Sequence, residues 1–118
     1  MLIFKDFSFD SAHFLPKVPE GHKCRALHGH TYRLRVSIKG SPATGTGWLI
    51  DFTVLKKKVT DVLEPLDHHC LNDVPGLENP TCELLAVWIW PRLQEVLPDL
   101  ARIELYETAT CGVVYDGE

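Results

Sequence analysis

The chain has 118 residues, 45% of them hydrophobic and 24% charged, with a formal net charge of −4. That composition suits one globular domain spanning 1–118 with a modest core, and its acidic balance gives no general attraction to nucleic acid or to an anionic membrane. No stretch approaches ~18 consecutive apolar residues and no basic leader with an apolar run opens the chain, so a membrane span is excluded and the four cysteines are expected as reduced thiols of a cytoplasmic protein.

Residues 2–10 alternate imperfectly, with Leu2, Phe4 and Asp6 on one side and Ile3, Phe7 and Phe9 mostly on the other. They predict a strand running toward His13, ended by Pro16 and Pro19. From His28 the alternation is cleaner. His28, His30, Tyr32, Leu34, Val36 and Ile38 share one face, while Thr31, Arg33, Arg35, Ser37 and Lys39 share the other. The glycine- and threonine-rich run 40–47 reads as a loop, and Trp48, Leu49 and Ile50 as a short further strand.

Asp51 stands where an N-cap belongs, and Leu55, Val59, Val62, Leu63 and Leu66 follow at helical spacing. After a loop over 67–80, Thr81 caps a second helix that runs to about Leu97. Pro91 lacks an N–H and crowds the carbonyl of Val87, which predicts a kink or a fresh helix start there. Strands over 101–107 and 111–116, joined by Thr108, Ala109 and Thr110, complete the pattern. The order predicts an α+β fold, a four-stranded antiparallel sheet with two helices on one face. Its edges and second face lack cover, which favours self-association.

Several groups in this frame carry chemistry. His28 and His30, at i and i+2 on a strand, project from one face, and His13 on a neighbouring strand can complete a facial set of three nitrogens. Three neutral imidazoles with an open fourth position make a catalytic Zn²⁺ site, although His-x-His alone also fits a polar pair on a sheet surface. Cys24 has three readings: a fourth ligand that closes the site, a buried apolar thiol, or a reactive thiolate favoured by Lys23 and Arg25. Asp67 beside His68 forms an acid–base pair or a simple helix-end cluster. Glu107 is a solvated strand end or a carboxylate able to grip a guanidine-like N–C–N edge.

Taken together, "FSFDSAH", "CRALHGHTY", "GWLIDFTVLK", "LDHHCLND", "ENPTCE" and "YETATCGVVYDGE" resemble, in order and over essentially the whole chain, the 6-pyruvoyltetrahydropterin/6-carboxytetrahydropterin synthase family. The stretch "VPEGHKC" and the three-residue gap between Cys24 and His28 are similar to its 6-carboxy branch. The family's folate-linked variants carry a glutamate in that gap, whereas Arg25, Ala26 and Leu27 include none. The resemblance implies the tunnelling fold, in which three sheets join into a twelve-stranded barrel and two trimers stack, with active sites between subunits. It implies Zn²⁺ on His13, His28 and His30, and Cys24 as a base outside the metal. Asp67 and His68 would assist that base, Glu107 would anchor a small-molecule pterin, and the segment with Asn79, Pro80 and Thr81 would border its ring. The expected reaction is the conversion of 7,8-dihydroneopterin triphosphate to 6-carboxytetrahydropterin in queuosine biosynthesis. A synthase that stops at the 6-pyruvoyl stage, or a binding module with a structural zinc, are the alternatives.

Overall fold

In a computed structural model, which describes residues 1–118, the elements run β1 (Leu2–His13), β2 (His28–Lys39), α1 (Phe52–Leu63), β3 (His69–Cys70), α2 (Cys82–Val96), β4 (Leu100–Tyr106) and β5 (Gly112–Tyr115). They form one sheet in the order β3-β1-β2-β4-β5. β1 and β2 pair antiparallel along their full length, from Leu2 opposite Lys39 to His13 opposite His28. β4 follows antiparallel on the far side of β2, and β5 on β4.

Alternation decides which face the helices cover. Phe9, Tyr32, Leu34, Val36, Ile103 and Leu105 point inward and are buried against Leu55, Val59 and Leu63 of α1 and Leu85, Ile89 and Leu93 of α2. Both helices start where their caps predict. Asp51 accepts from the Thr53 amide at 2.8 Å and Thr81 Oγ1 from the Leu84 amide at 3.2 Å, each satisfying an otherwise orphan first-turn donor.

Three expectations are corrected. The sheet has five strands and is mixed, because the two-residue β3 lies parallel to β1 through Ser11–His69 and Ala12–Cys70. Residues 48–50 form bends and no strand. There Ala43 bonds the Trp48 carbonyl at 3.0 Å and Gly47 the Ala43 carbonyl at 2.9 Å, so the loop closes on itself before α1. Finally, α2 continues through Pro91. Pro91 and Val87 are both exposed, so the carbonyl deprived of its N–H donor faces water.

The opposite face of the sheet is open. Arg35 grips Asp6 with two bonds of 2.8 and 3.0 Å and stacks on Phe4, while Arg33 lies over Tyr106. The outer edge of β1 pairs with β3 only at Ser11 and Ala12, leaving residues 2–10 without a neighbouring strand on that side. No helix is long and apolar enough to cross a membrane.

Candidate active site

The β1–β2 register brings His13 opposite His28, and the two-residue period places His30 on the same face. One ring nitrogen from each of the three lies within 4.8 Å of the others. His13 Nδ1 sits 2.9 Å from the Pro80 carbonyl, and His28 Nδ1 sits 2.7 Å from the Ala26 carbonyl. A carbonyl only accepts, so each Nδ1 carries the proton and each Nε2 is left with a bare lone pair. Those two Nε2 atoms are 3.0 Å apart. Two lone pairs facing at that distance repel, and a cation between them removes the conflict. Three imidazole nitrogens, two of them oriented by backbone carbonyls, suit Zn²⁺.

The surroundings keep these imidazoles neutral. Burial pushes the pKa of His13 below the ordinary histidine value, against the Pro80 hydrogen bond and the Glu107 charge, and burial lowers that of His30 as well. Tyr32 is fully buried, with its hydroxyl 3.2 Å from His13 Nδ1, and burial raises its pKa far enough to hold it as a neutral phenol.

Glu107, one residue past β4, directs its Oε1 to 3.6 Å from His13 Nε2 and 3.8 Å from His30 Nε2. Its amide and that of Thr108 both donate to the Cys111 carbonyl, fixing the turn beneath it. The nearby Cys82 thiol is buried, donates to the Leu105 carbonyl at 3.6 Å, and is pushed up to about 12 by desolvation, which leaves it inert at neutral pH.

Cys24 lies in a short 3-10 turn just before β2, half-buried and outside the imidazole cluster. Its carbonyl accepts from Leu15, and its amide donates to His22 Nδ1 at 3.1 Å. The Arg25 guanidinium donates to the Val18 carbonyl at 2.7 Å and the Pro16 carbonyl at 3.3 Å, so it braces the loop that carries the thiol.

Asp67 and His68 form a bonded pair, His68 Nδ1 donating to Asp67 Oδ1 at 2.8 Å. Asp10 holds both from β1: its amide donates to Asp67 Oδ1 at 3.0 Å and its carbonyl accepts from the His68 amide at 2.6 Å. The Asp10 amide and then His68 hold the Asp67 carboxyl below the usual carboxylate range. His68 adopts φ 60°, a left-handed conformation uncommon outside glycine. Its exposed ring opens on a cleft of about 600 Å³ that also reaches His30 and Thr31. The Cys24 side chain makes no hydrogen bond to the Asp67–His68 pair or to the imidazoles.

Sequence reasoning missed several supports. The Pro80 carbonyl lies 67 residues from His13 and is invisible to any local pattern, although the Asn79-Pro80-Thr81 segment was marked. The Ala26 carbonyl and Asp10 act through backbone atoms, which residue type does not report. Asn72 brackets the end of β1, accepting from the Phe14 amide at 3.0 Å and donating to its carbonyl at 2.8 Å; its place in "LDHHCLND" was the available signal.

A family model described as 6-pyruvoyl tetrahydropterin synthase matches residues 2–118. The 6-carboxy-5,6,7,8-tetrahydropterin synthase of Synechocystis sp. is 45% identical, the alignment covering 97% of this chain and 92% of that protein. The dihydroneopterin monophosphate aldolase of Pyrococcus furiosus is 40% identical over 90% of this chain and 89% of its own. The solved Caenorhabditis elegans 6-pyruvoyl tetrahydropterin synthase superposes with a TM-score of 0.91 at 27% identity, covering 100% of this chain and 96% of that one. A match over nearly every residue, in sequence and in fold, leaves one assignment: the chain belongs to the 6-pyruvoyl tetrahydropterin synthase family.

Proposed function

We propose that this protein is a zinc-dependent carbon–carbon lyase. It converts 7,8-dihydroneopterin triphosphate and water to 6-carboxy-5,6,7,8-tetrahydropterin, acetaldehyde and triphosphate, a step of queuosine biosynthesis. What carries the reading is the convergence of His13, His28 and His30 in a chain 45% identical to a 6-carboxy-5,6,7,8-tetrahydropterin synthase.

Zn²⁺ on the three imidazoles supplies a Lewis acid near the side-chain oxygens of the substrate and makes the adjacent C–H more acidic. The Cys24 thiolate takes that proton. His68, oriented through Nδ1 by Asp67, presents Nε2 to the cleft and moves protons between side-chain positions. Glu107 accepts from the N–C–N edge of the pterin through two parallel hydrogen bonds, and Thr81 borders the ring, so each transfer occurs in fixed geometry. The protein acts as a homo-oligomer, a dimer of trimers, with sites shared between copies. The separation of Cys24 from Asp67 and His68 within one chain and the open edge of β1 support that arrangement.

Two other readings have specific support. The family description favours a synthase that stops at the 6-pyruvoyl stage, and the Pyrococcus furiosus relative favours aldol cleavage of a dihydroneopterin phosphate. One assay separates all three. Zinc-loaded protein is incubated with 7,8-dihydroneopterin triphosphate, and both the pterin and the released carbon fragment are identified. Acetaldehyde with 6-carboxytetrahydropterin is the expected outcome. A pyruvoyl pterin without acetaldehyde, or an unchanged dihydropterin, overturns it.

A further inference from the structure

We infer that Glu107 is a fourth donor of the metal site in the substrate-free protein, and that its carboxylate leaves the metal to take the pterin edge when substrate enters. The inference rests on the three-histidine site and the pterin-anchoring role proposed above.

The starting observation is a contact that lacks an ordinary explanation. Glu107 Oε1 lies 3.6 Å from His13 Nε2, yet His13 has already committed its ring proton to the Pro80 carbonyl through Nδ1. With neutral His13, no hydrogen bond between these two atoms is available. A carboxylate oxygen faces a bare nitrogen lone pair, and both are acceptors. The His13–His28 contact at 3.0 Å poses the same conflict. Both are resolved by one positive charge seated among the four side chains. The spacing agrees with this: donors about 2.0–2.2 Å from a tetrahedral Zn²⁺ stand about 3.3–3.5 Å from one another. The separations here of 3.0, 3.6 and 3.8 Å bracket that value.

Glu107 is also built to move. Its backbone is tied down through the Cys111 carbonyl, while the side chain remains 27% exposed and makes no hydrogen bond of its own. The carboxylate approaches from the side of His13 and His30, leaving rotation about its χ angles as the only motion needed to engage a ligand. Three neutral imidazoles keep the full charge of a divalent cation, and an added carboxylate offsets part of it. Removing that carboxylate on arrival of a pterin therefore strengthens the electrophile only when there is substrate to act upon.

The test uses the full-length protein loaded with Zn²⁺ or Co²⁺. Chelator competition should show that Glu107→Gln weakens Zn²⁺ binding at least tenfold, with Glu107→Asp intermediate and the thermal melting profile preserved in one of the two. Neopterin should change the visible spectrum of the Co²⁺ protein in the wild type and leave that of Glu107→Gln unaltered. Zn²⁺ affinity within twofold of wild type in Glu107→Gln, with an unaltered Co²⁺ spectrum, overturns the inference. His28→Ala distinguishes the two levels. If it loses metal while Glu107→Gln binds normally, only the Glu107 role fails; if it retains stoichiometric metal, the three-histidine site itself fails.

Discussion

The Nε2 atoms of His13 and His28 stand 3.0 Å apart, with the opposite nitrogens of both rings bonded to the carbonyls of Pro80 and Ala26. Each carbonyl selects the tautomer that leaves Nε2 free, so the site is preset for a cation before one arrives. His13→Ala and His28→Ala are each expected to lose stoichiometric zinc, read by elemental analysis after dialysis against a weak chelator.

The same burial fixes a pH response in metal-free protein. His13 and His30 have pKa values lowered by desolvation, so between their folded values and the ordinary ~6.5 the unfolded chain binds more protons than the folded one. Their contribution is therefore most favourable above ~6.5 and is lost as pH falls through the folded values. Urea unfolding of the metal-free protein should give lower stability at about pH 5.5 than at about pH 7.5, and His13→Gln should flatten that difference.

Cys24 stands outside the imidazole cluster, on a turn held by Leu15, His22 and Arg25. Cys24→Ala should keep its zinc and lose turnover by about 10²–10⁴-fold, the usual range for removing a proton-transfer group. Loss of zinc in this variant would identify the thiol as a ligand and remove its role as base.

Asp67 should act through His68. Asp67→Asn keeps an acceptor for the Nδ1 proton and removes the charge, so kcat is expected to fall about 10–100-fold with KM within about twofold. Because the Asp10 amide and His68 hold the Asp67 carboxyl low, the acid limb of the rate profile should not move into the range of a free aspartate. An acid limb in wild type that disappears in Asp67→Asn would show that this carboxyl titrates in the working range.

Pro91 sits within a continuous helix on its wet side. Proline in a helix interior is disfavoured by about 3 kcal/mol relative to alanine, offset in part by the stiffer unfolded chain. Pro91→Ala should therefore raise stability by about 1–3 kcal/mol in denaturant titration, without altering zinc content.

What could be read from the residues was whatever has a local period or a local cap. β2 announces itself because His28 through Ile38 alternate, and the two helices because Asp51 and Thr81 stand ahead of helical apolar spacing. β3 gives no such signal: His69 and Cys70 form a strand only because β1 lies beside them. Trp48 to Ile50 misleads for the complementary reason, since an apolar triplet packs equally well as a bend that leads into a helix. The three imidazoles could be grouped by strand period and family resemblance. The Pro80 carbonyl that sets the tautomer of His13 is a main-chain atom brought in by tertiary folding, and no side-chain pattern encodes it.

That carbonyl has a consequence for folding as well. His13 on β1, His28 and His30 on β2, and the segment leading into α2 all converge on one point. An ion bound there is a cross-link between parts of the chain separated by 67 residues, and it binds the folded state alone. By mass action, free zinc at about a thousand times its dissociation constant should add roughly 4 kcal/mol to unfolding. Stripping the metal should lower the melting temperature and hasten hydrogen exchange at the first turn of α2, far along the chain from the histidines themselves. The reaction centre is in this sense also a clasp.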